Sequence, residues 1–203
     1  MLIERSVLIA LAMICASLTV PACAADYPDK PIRFLVPYPP GGSTDPIVRI
    51  IAQKLTENWK QQFVIDNRGG GGGNVASDIV AKAPADGYTV LLGTVSTICI
   101  NPALYAKLPF DPVKDLAPVS LIVSGFYLLA THPSFPAANV GELVALAKAK
   151  QGQFNYASGG AGSAPHLAME LLKQMAKVEL THVPYKGTGP ALNDVLGGHV
   201  PML

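Results

Sequence analysis

Two short runs of small residues carry the chemistry this sequence can do. The first is Tyr38-Pro39-Pro40-Gly41-Gly42-Ser43-Thr44-Asp45, set between an apolar run at 32–36 and an amphipathic run at 47–59. Its glycines let the backbone turn tightly and approach a ligand without a Cβ atom in the way. The helix start behind them leaves N–H groups without intrahelical partners, at the positive end of the helix dipole. Together with the Ser43 and Thr44 hydroxyls, these groups suit a carboxylate or a phosphate. The alternative reading is an ordinary tight strand-to-helix turn. The second run, Ser158-Gly159-Gly160-Ala161-Gly162-Ser163-Ala164-Pro165, repeats the device ahead of another helix and favours binding. Two such helix starts facing each other across a cleft would chelate an anion.

Other chemistries find less support. Gly69 to Gly73 fits neither the phosphate-loop nor the dinucleotide pattern, and neither does the turn at 159–163. The five-glycine run is read either as a mobile loop or as cleft lining. No G-x-S-x-G elbow is present. His166 and Glu170 sit four apart on a helix, a metal-ligand spacing, but two groups do not make a set. His166 is read as a helix-start residue near an anion or as a structural one. His132, His182 and His199 show no partner pattern and are left unassigned.

The elements that must position these runs follow a β/α order. Residues 32–36 form a near-continuous apolar strand of the kind buried on both faces. A helix follows, with Ile47, Val48, Ile51, Ala52, Leu55 and Trp59 on its inner face. Asp45-Pro46 reads as its N-cap and first position, with Ser43 as the alternative cap. Residues 62–66 are the second strand, 74–83 a helix and 88–93 the third strand. This β-α-β-α-β order predicts a parallel sheet. Ligands on such sheets bind beyond the carboxyl ends of the strands, so Thr94-Val95-Ser96-Thr97 should neighbour the opening loop. Residues 101–112 are loop-rich, and 116–124 read as another strand. A second β/α series begins at 126–131. It continues through a helix at 140–150 with Leu143, Leu146 and Ala147 inside, and a strand at 154–157. Next come a helix at 166–176 with Leu167, Leu171, Leu172 and Met175 inside, a strand at 180–184 and a helix at 188–196. Val200 begins a final strand.

Length and composition set the outer bounds. The chain has 203 residues, half of them apolar, and a net charge of +1. A sizeable core is available, and the lack of a basic excess argues against nucleic acid as a partner. Arg5, an apolar run at 7–20 and Ala22-Cys23-Ala24-Ala25 read as an export signal cut near Ala24-Ala25. Lipid attachment at Cys23 is the minor alternative. Residues 1–25 are therefore the signal, 26–124 the first lobe and 125–203 an incomplete second lobe. Cys99 would be alone in the mature chain and reads as a small packing residue.

Several motifs bear a resemblance to one family. Tyr27-Pro28-x-Lys30-Pro31-Ile32-Arg33 and Val36-Pro37-Tyr38-Pro39-Pro40-Gly41-Gly42-x-x-Asp45 resemble the mature start of tripartite tricarboxylate transporter receptors, also called Bug receptors. So do Asn67-Arg68-x-Gly70-x-Gly72-Gly73-Asn74, Asn101-Pro102-x-Leu104-Tyr105, Gly162-Ser163-x-x-His166-Leu167 and His182-Val183-Pro184-Tyr185-Lys186-Gly187. The resemblance covers essentially all of the mature sequence. It implies an α/β, type II periplasmic-binding-protein-like fold, with two β/α lobes around a cleft that closes on a small carboxylate. It also implies delivery to membrane permease subunits, a periplasmic monomer, no cofactor and no enzyme activity. The family grips its ligand through backbone amides and hydroxyls. By position, the first-lobe contacts would be Tyr38, Pro40, Gly41, Gly42, Thr44, Asp45, Thr94, Ser96 and Thr97. The second-lobe contacts would be Ser158, Gly160, Gly162, Ser163, His166, Tyr185 and Lys186. Family members are longer, and their chain returns to the first lobe after the second, so the C-terminal part of the fold is expected to be absent. Two rival readings remain: an exported carboxylate-processing enzyme using His166 with Glu170 or Asp45, and a non-functional remnant of such a receptor.

Overall fold

The computed structural model describes residues 26–203. The export signal and the Cys23 alternative lie outside the described residues. Strand β1 (Ile32–Val36) is the middle of a three-stranded parallel sheet, between β2 (Phe63–Asn67) and β3 (Thr89–Leu91). Its apolar run is explained by that place: Ile32, Phe34, Leu35 and Val36 are all buried. Burying each such side chain contributes about 1.5–3 kcal/mol. Arg33 is the exception in the strand, and its guanidinium bonds Asp66 of β2 at 2.6 and 2.9 Å.

Helix α1 (Thr44–Trp59) crosses from β1 to β2 and lays Val48 on Phe34, Val36 and Leu92. Its start corrects one expectation. The helix begins at Thr44 behind Ser43, so Asp45 lies inside the first turn rather than capping it. The Gly42 carbonyl already accepts the Asp45 N–H at 3.3 Å, which draws the helix back toward the glycines. A tight turn at Gly71–Gly73 leads into α2 (Asn74–Ala81). After β3 a π-helical turn, Ser96–Ile100, runs into the short α3 (Asn101–Leu104). Cys99 sits exposed on that turn rather than packed. Ser96 and Thr97 hold the inward side, and Cys99 follows on the outward one.

The second unit has β4 (Asn155–Ser158) and β5 (Thr181–Pro184), paired in parallel. Helix α4 (Val140–Ala149) starts on an Asn139 cap that accepts the Glu142 N–H at 2.9 Å. Helix α5 (Ala164–Ala176) and helix α6 (Thr188–Leu196) complete it. One core gathers Leu143, Ala147, Tyr156, Met169, Val178, Leu180 and Met202, and a second gathers Ala157, Ala191, Val195 and Val200. Residues 130–132 run back along 201–203: Ala130 and Leu203 exchange N–H···O bonds at 3.0 and 2.9 Å, and His132 N–H donates to Pro201 O at 2.9 Å. Pro201 fits because this pairing uses only its carbonyl.

Two further expectations fail. Residues 116–124 form no strand, and Val119 and Leu121 are 90% and 83% exposed. An apolar run becomes a strand only by pairing, and among the described residues none pairs with this one. Likewise only Thr131 of 126–131 makes a bridge, to Met202. On α5, Leu172 packs inward with Met169 and Ala176, while Leu171 and Met175 are 55% and 76% exposed. The helix shows the expected period but presents a neighbouring face to the core.

Candidate functional site: a convergence of helix starts

The opening loop is braced from three sides. Asn67, the last residue of β2, donates from Nδ2 to Tyr38 O at 3.0 Å and to Asp45 Oδ1 at 3.3 Å. Arg49, one turn along α1, holds both Asp45 oxygens at 2.9 and 3.2 Å. Gly41 N–H reaches Asp45 Oδ2 at 3.4 Å. The hydrogen bond from Arg49 is the main reason the Asp45 carboxyl titrates below its ordinary range, and it outweighs the opposing effect of burial. Asp45 is thus a neutralised brace inside the loop rather than a free negative charge facing an incoming anion. The side chain of Thr44 differs, because its hydroxyl is buried with no hydrogen-bond partner among the described residues.

The end of β3 lies beside this loop, as the topology predicts. Tyr38 OH and Thr94 Oγ1 are 3.2 Å apart. Thr97 Oγ1 accepts from Thr94 N–H at 3.0 Å and donates to Thr94 O at 3.1 Å, which fixes the turn. The glycine run settles against the same loop instead of hanging free. A Cβ on Gly69 would sit 2.8 Å from Pro39, and one on Gly73, at φ +92°, 2.5 Å from Thr97 and 3.0 Å from Pro37. Asn101 Nδ2 ties the run down through Gly72 O at 3.0 Å and Asn74 Oδ1 at 2.6 Å.

In the second unit, Ser163 caps α5 by accepting the His166 N–H at 3.4 Å. Ser158 is fully buried at the end of β4. His166 Nδ1 accepts the Gly162 N–H at 3.1 Å, so this ring supports the turn from beneath. Tyr185 is occupied as well: its hydroxyl donates to Asp194 of α6, and its N–H donates to Ser158 O at 3.1 Å. Pro40 and Lys186 are exposed.

The two units meet at their loops, with a pairing the sequence did not reveal. Ala164 N–H at the start of α5 donates to Ser96 Oγ at 3.1 Å. The opening loop meets the start of α6 instead: Ser43 N–H donates to Thr188 Oγ1 at 3.3 Å, and the two hydroxyls lie 3.4 Å apart. A Cβ on Gly189 would come within 3.1 Å of the Gly41 backbone. Three helix starts therefore lie at the junction of the two units: the one at Ala164 meets Ser96, and the one at Thr44 meets the third, at Thr188. The third was legible as Gly187-Thr188-Gly189-Pro190, a strand-glycine-helix junction like the other two. His182 was also missed. Its ring stacks on His166 with centroids 4.0 Å apart, and its Nε2 lies 2.7 Å from Ser158 Oγ. Among the described residues no group of three or more metal-ligating side chains occurs.

Two β/α units with parallel strands, meeting at glycine-rich helix starts, make an α/β fold of the kind found in periplasmic binding proteins. Comparison with known proteins agrees. Residues 47–203 match the family described as tripartite tricarboxylate transporter family receptor, and the chain belongs to that family. It is 38% identical over 186 residues to the BugT protein of Bordetella pertussis, covering 91% of this chain and 57% of that one. Among solved structures, Rpa4515 of R. palustris with adipate is 41% identical with a TM-score of 0.85, over 87% of this chain and 59% of that one. MatC of Rhodopseudomonas palustris with bound malate is 34% identical with a TM-score of 0.80, over 87% and 60%. The chain thus spans about three fifths of the relatives it matches. The family is one of transporter receptors, which removes the enzyme reading of His166 with Glu170 or Asp45.

Proposed function

We infer that this chain captures a small dicarboxylate between its two lobes in the periplasm and presents it to the membrane permease of a tripartite tricarboxylate-type transporter. The gathering of glycine-rich helix starts at the junction of the two units carries the reading, Ser43 meeting Thr188 and Ala164 meeting Ser96, because unpaired N–H groups at the positive ends of helices suit an anion. The buried Thr44 hydroxyl supports it, since a buried polar group without a partner among the described residues costs about 1–3 kcal/mol and a carboxylate oxygen would accept its hydrogen bond. With Asp45 already paired to Arg49, its carboxylate does not stand free against the ligand. Tyr38, Pro40, Gly41, Gly42, Thr94, Ser96 and Thr97 line the first lobe. Ser158, Gly160, Gly162, Ser163, His166, Tyr185 and Lys186 line or support the second. Adipate and malate, bound by the two relatives, are the first ligands to try. A thermal-stability panel of dicarboxylates, tricarboxylates and uncharged diols tests the reading. Binding to the native state adds about 2.7 kcal/mol of stability at a hundredfold excess over Kd. A folded chain stabilised by no carboxylate, or equally by the diols, would sink the idea.

A further inference from the structure

The second-lobe turn rests on a stacked pair of histidines, one of which no binding reading uses. His182 Nε2 on β5 lies 2.7 Å from Ser158 Oγ. The same hydroxyl donates to Gly160 O and accepts from Gly160 N–H, each at 3.1 Å. A serine hydroxyl has one proton and two lone pairs. With its proton on Gly160 O and one lone pair on Gly160 N–H, the remaining lone pair has two claimants, the Ser163 hydroxyl at 3.5 Å and His182 Nε2 at 2.7 Å; the much shorter contact gives it to His182, whose Nε2 then carries hydrogen. Were Nε2 the acceptor, the serine proton would leave Gly160 O and the turn would lose a tie. The far end of the turn is held by His166, whose Nδ1 accepts Gly162 N–H at 3.1 Å. Gly160 at φ +134° and Gly162 at φ +76° adopt backbone conformations that need such fixing, since glycine has the most freedom to lose.

We propose that His182 is a positioning residue for the anion-binding turn, donating its Nε2–H to Ser158 so that Ser158 and His166 together fix Gly160 and Gly162. The setting keeps its ring neutral. Burial chiefly, and then the neighbouring His166, lower its pKa to about 4. The other groups facing it are Tyr156 of β4, at 4.9 Å between centroids, and Glu170 and Lys173 of α5, which pair with each other at 2.8 Å. The purpose of the turn rests on the carboxylate-binding reading, but its geometry does not.

The test begins with a long-range proton–nitrogen correlation spectrum of the unliganded chain. It is completed by His182→Phe and His182→Gln, each probed with adipate and by exchange of the Gly160 amide. The expected tautomer at His182 is Nε2–H. His182→Phe should speed Gly160 exchange and weaken adipate about tenfold, the size of one lost hydrogen bond. His182→Gln, whose amide can donate at similar reach, should restore both to within about threefold. An Nδ1–H tautomer would overturn the proposal. So would a His182→Phe chain with Gly160 exchange and adipate affinity unchanged. Should the unmodified chain bind no dicarboxylate while tautomer and exchange come out as expected, the carboxylate reading falls and the positioning role stands.

Discussion

Ser96 Oγ accepts the Ala164 N–H at 3.1 Å, and this bond joins the first unit to the start of helix α5 in the second. It uses an N–H that the helix itself cannot satisfy. Ser96→Ala removes the acceptor while leaving Thr94 and Thr97 to hold their own turn. One hydrogen bond is worth about 0.5–1.5 kcal/mol net. Adipate affinity, measured by calorimetry, should fall about three- to tenfold, with the unfolding midpoint shifted by only a few degrees. Unchanged affinity would mean that the closed pairing of the lobes does not contribute to binding.

The Asp45–Arg49 brace predicts a pH dependence of stability with a definite sign. Arg49 holds the folded-state pKa of Asp45 below its unfolded value. Its contribution is therefore fully present above the ordinary aspartate range and is lost as pH falls through the folded value. Asp45→Asn should melt lower than the natural chain at neutral pH, and the gap should narrow below about pH 4. Asp66, held down in the same way by Arg33 and Arg68, titrates in both proteins, so the difference between them isolates Asp45.

His182 titrates in another window. Its folded pKa of about 4 lies below the ordinary histidine value of 6.5, so the unfolded chain takes up the proton first. Stability should thus decline as pH falls from about 6.5 toward 4 and level off beneath it. His182→Gln has no such proton, and its melting temperature should vary less between pH 7 and pH 5. Equal slopes for the two proteins would contradict the buried, neutral setting of this ring.

Gly73 tests the packing of the glycine run on the opening loop. Alanine there meets both a positive φ and a Cβ 2.5 Å from Thr97. The backbone term alone costs about 1–2 kcal/mol, and the clash adds to it. Urea unfolding of Gly73→Ala should show a loss larger than that term. Gly152→Ala is the control: it shares the positive φ, at +72°, with nothing within 4 Å of the added carbon, and should lose the backbone term only.

What could be read from the sequence was what local pattern decides. The bounds of β1 and α6 were legible to the residue, because an unbroken apolar run and a glycine-to-glycine helix each leave one solution. The pairing of the Ser43 loop with Thr188 was not, since it depends on how two lobes meet rather than on either segment. The inward face of α5 was misjudged for a related reason. Leu171 and Met175 are as apolar as Leu172, and only the placement of Tyr156 and Val178 beneath the helix selects among them. The strand expected at 116–124 failed because its residues have the propensity but no pairing partner among the described residues. His182 was invisible since its role is a hydrogen bond to a serine twenty-four positions earlier.

The unpaired stretch at 117–128, with Phe126 85% and Leu128 79% exposed, has a practical consequence for spectroscopy. Environment-sensitive dyes fluoresce on contact with apolar surface, and here such surface is present in the folded chain. A dye-based melt should start from a bright baseline, which flattens or inverts the transition. The sole tryptophan, Trp59, offers a cleaner reporter, because its ring packs edge-on to Tyr27 at 6.2 Å and tilted on Phe63 at 5.7 Å, contacts that only the folded first unit makes. Its emission should track unfolding even where the dye cannot.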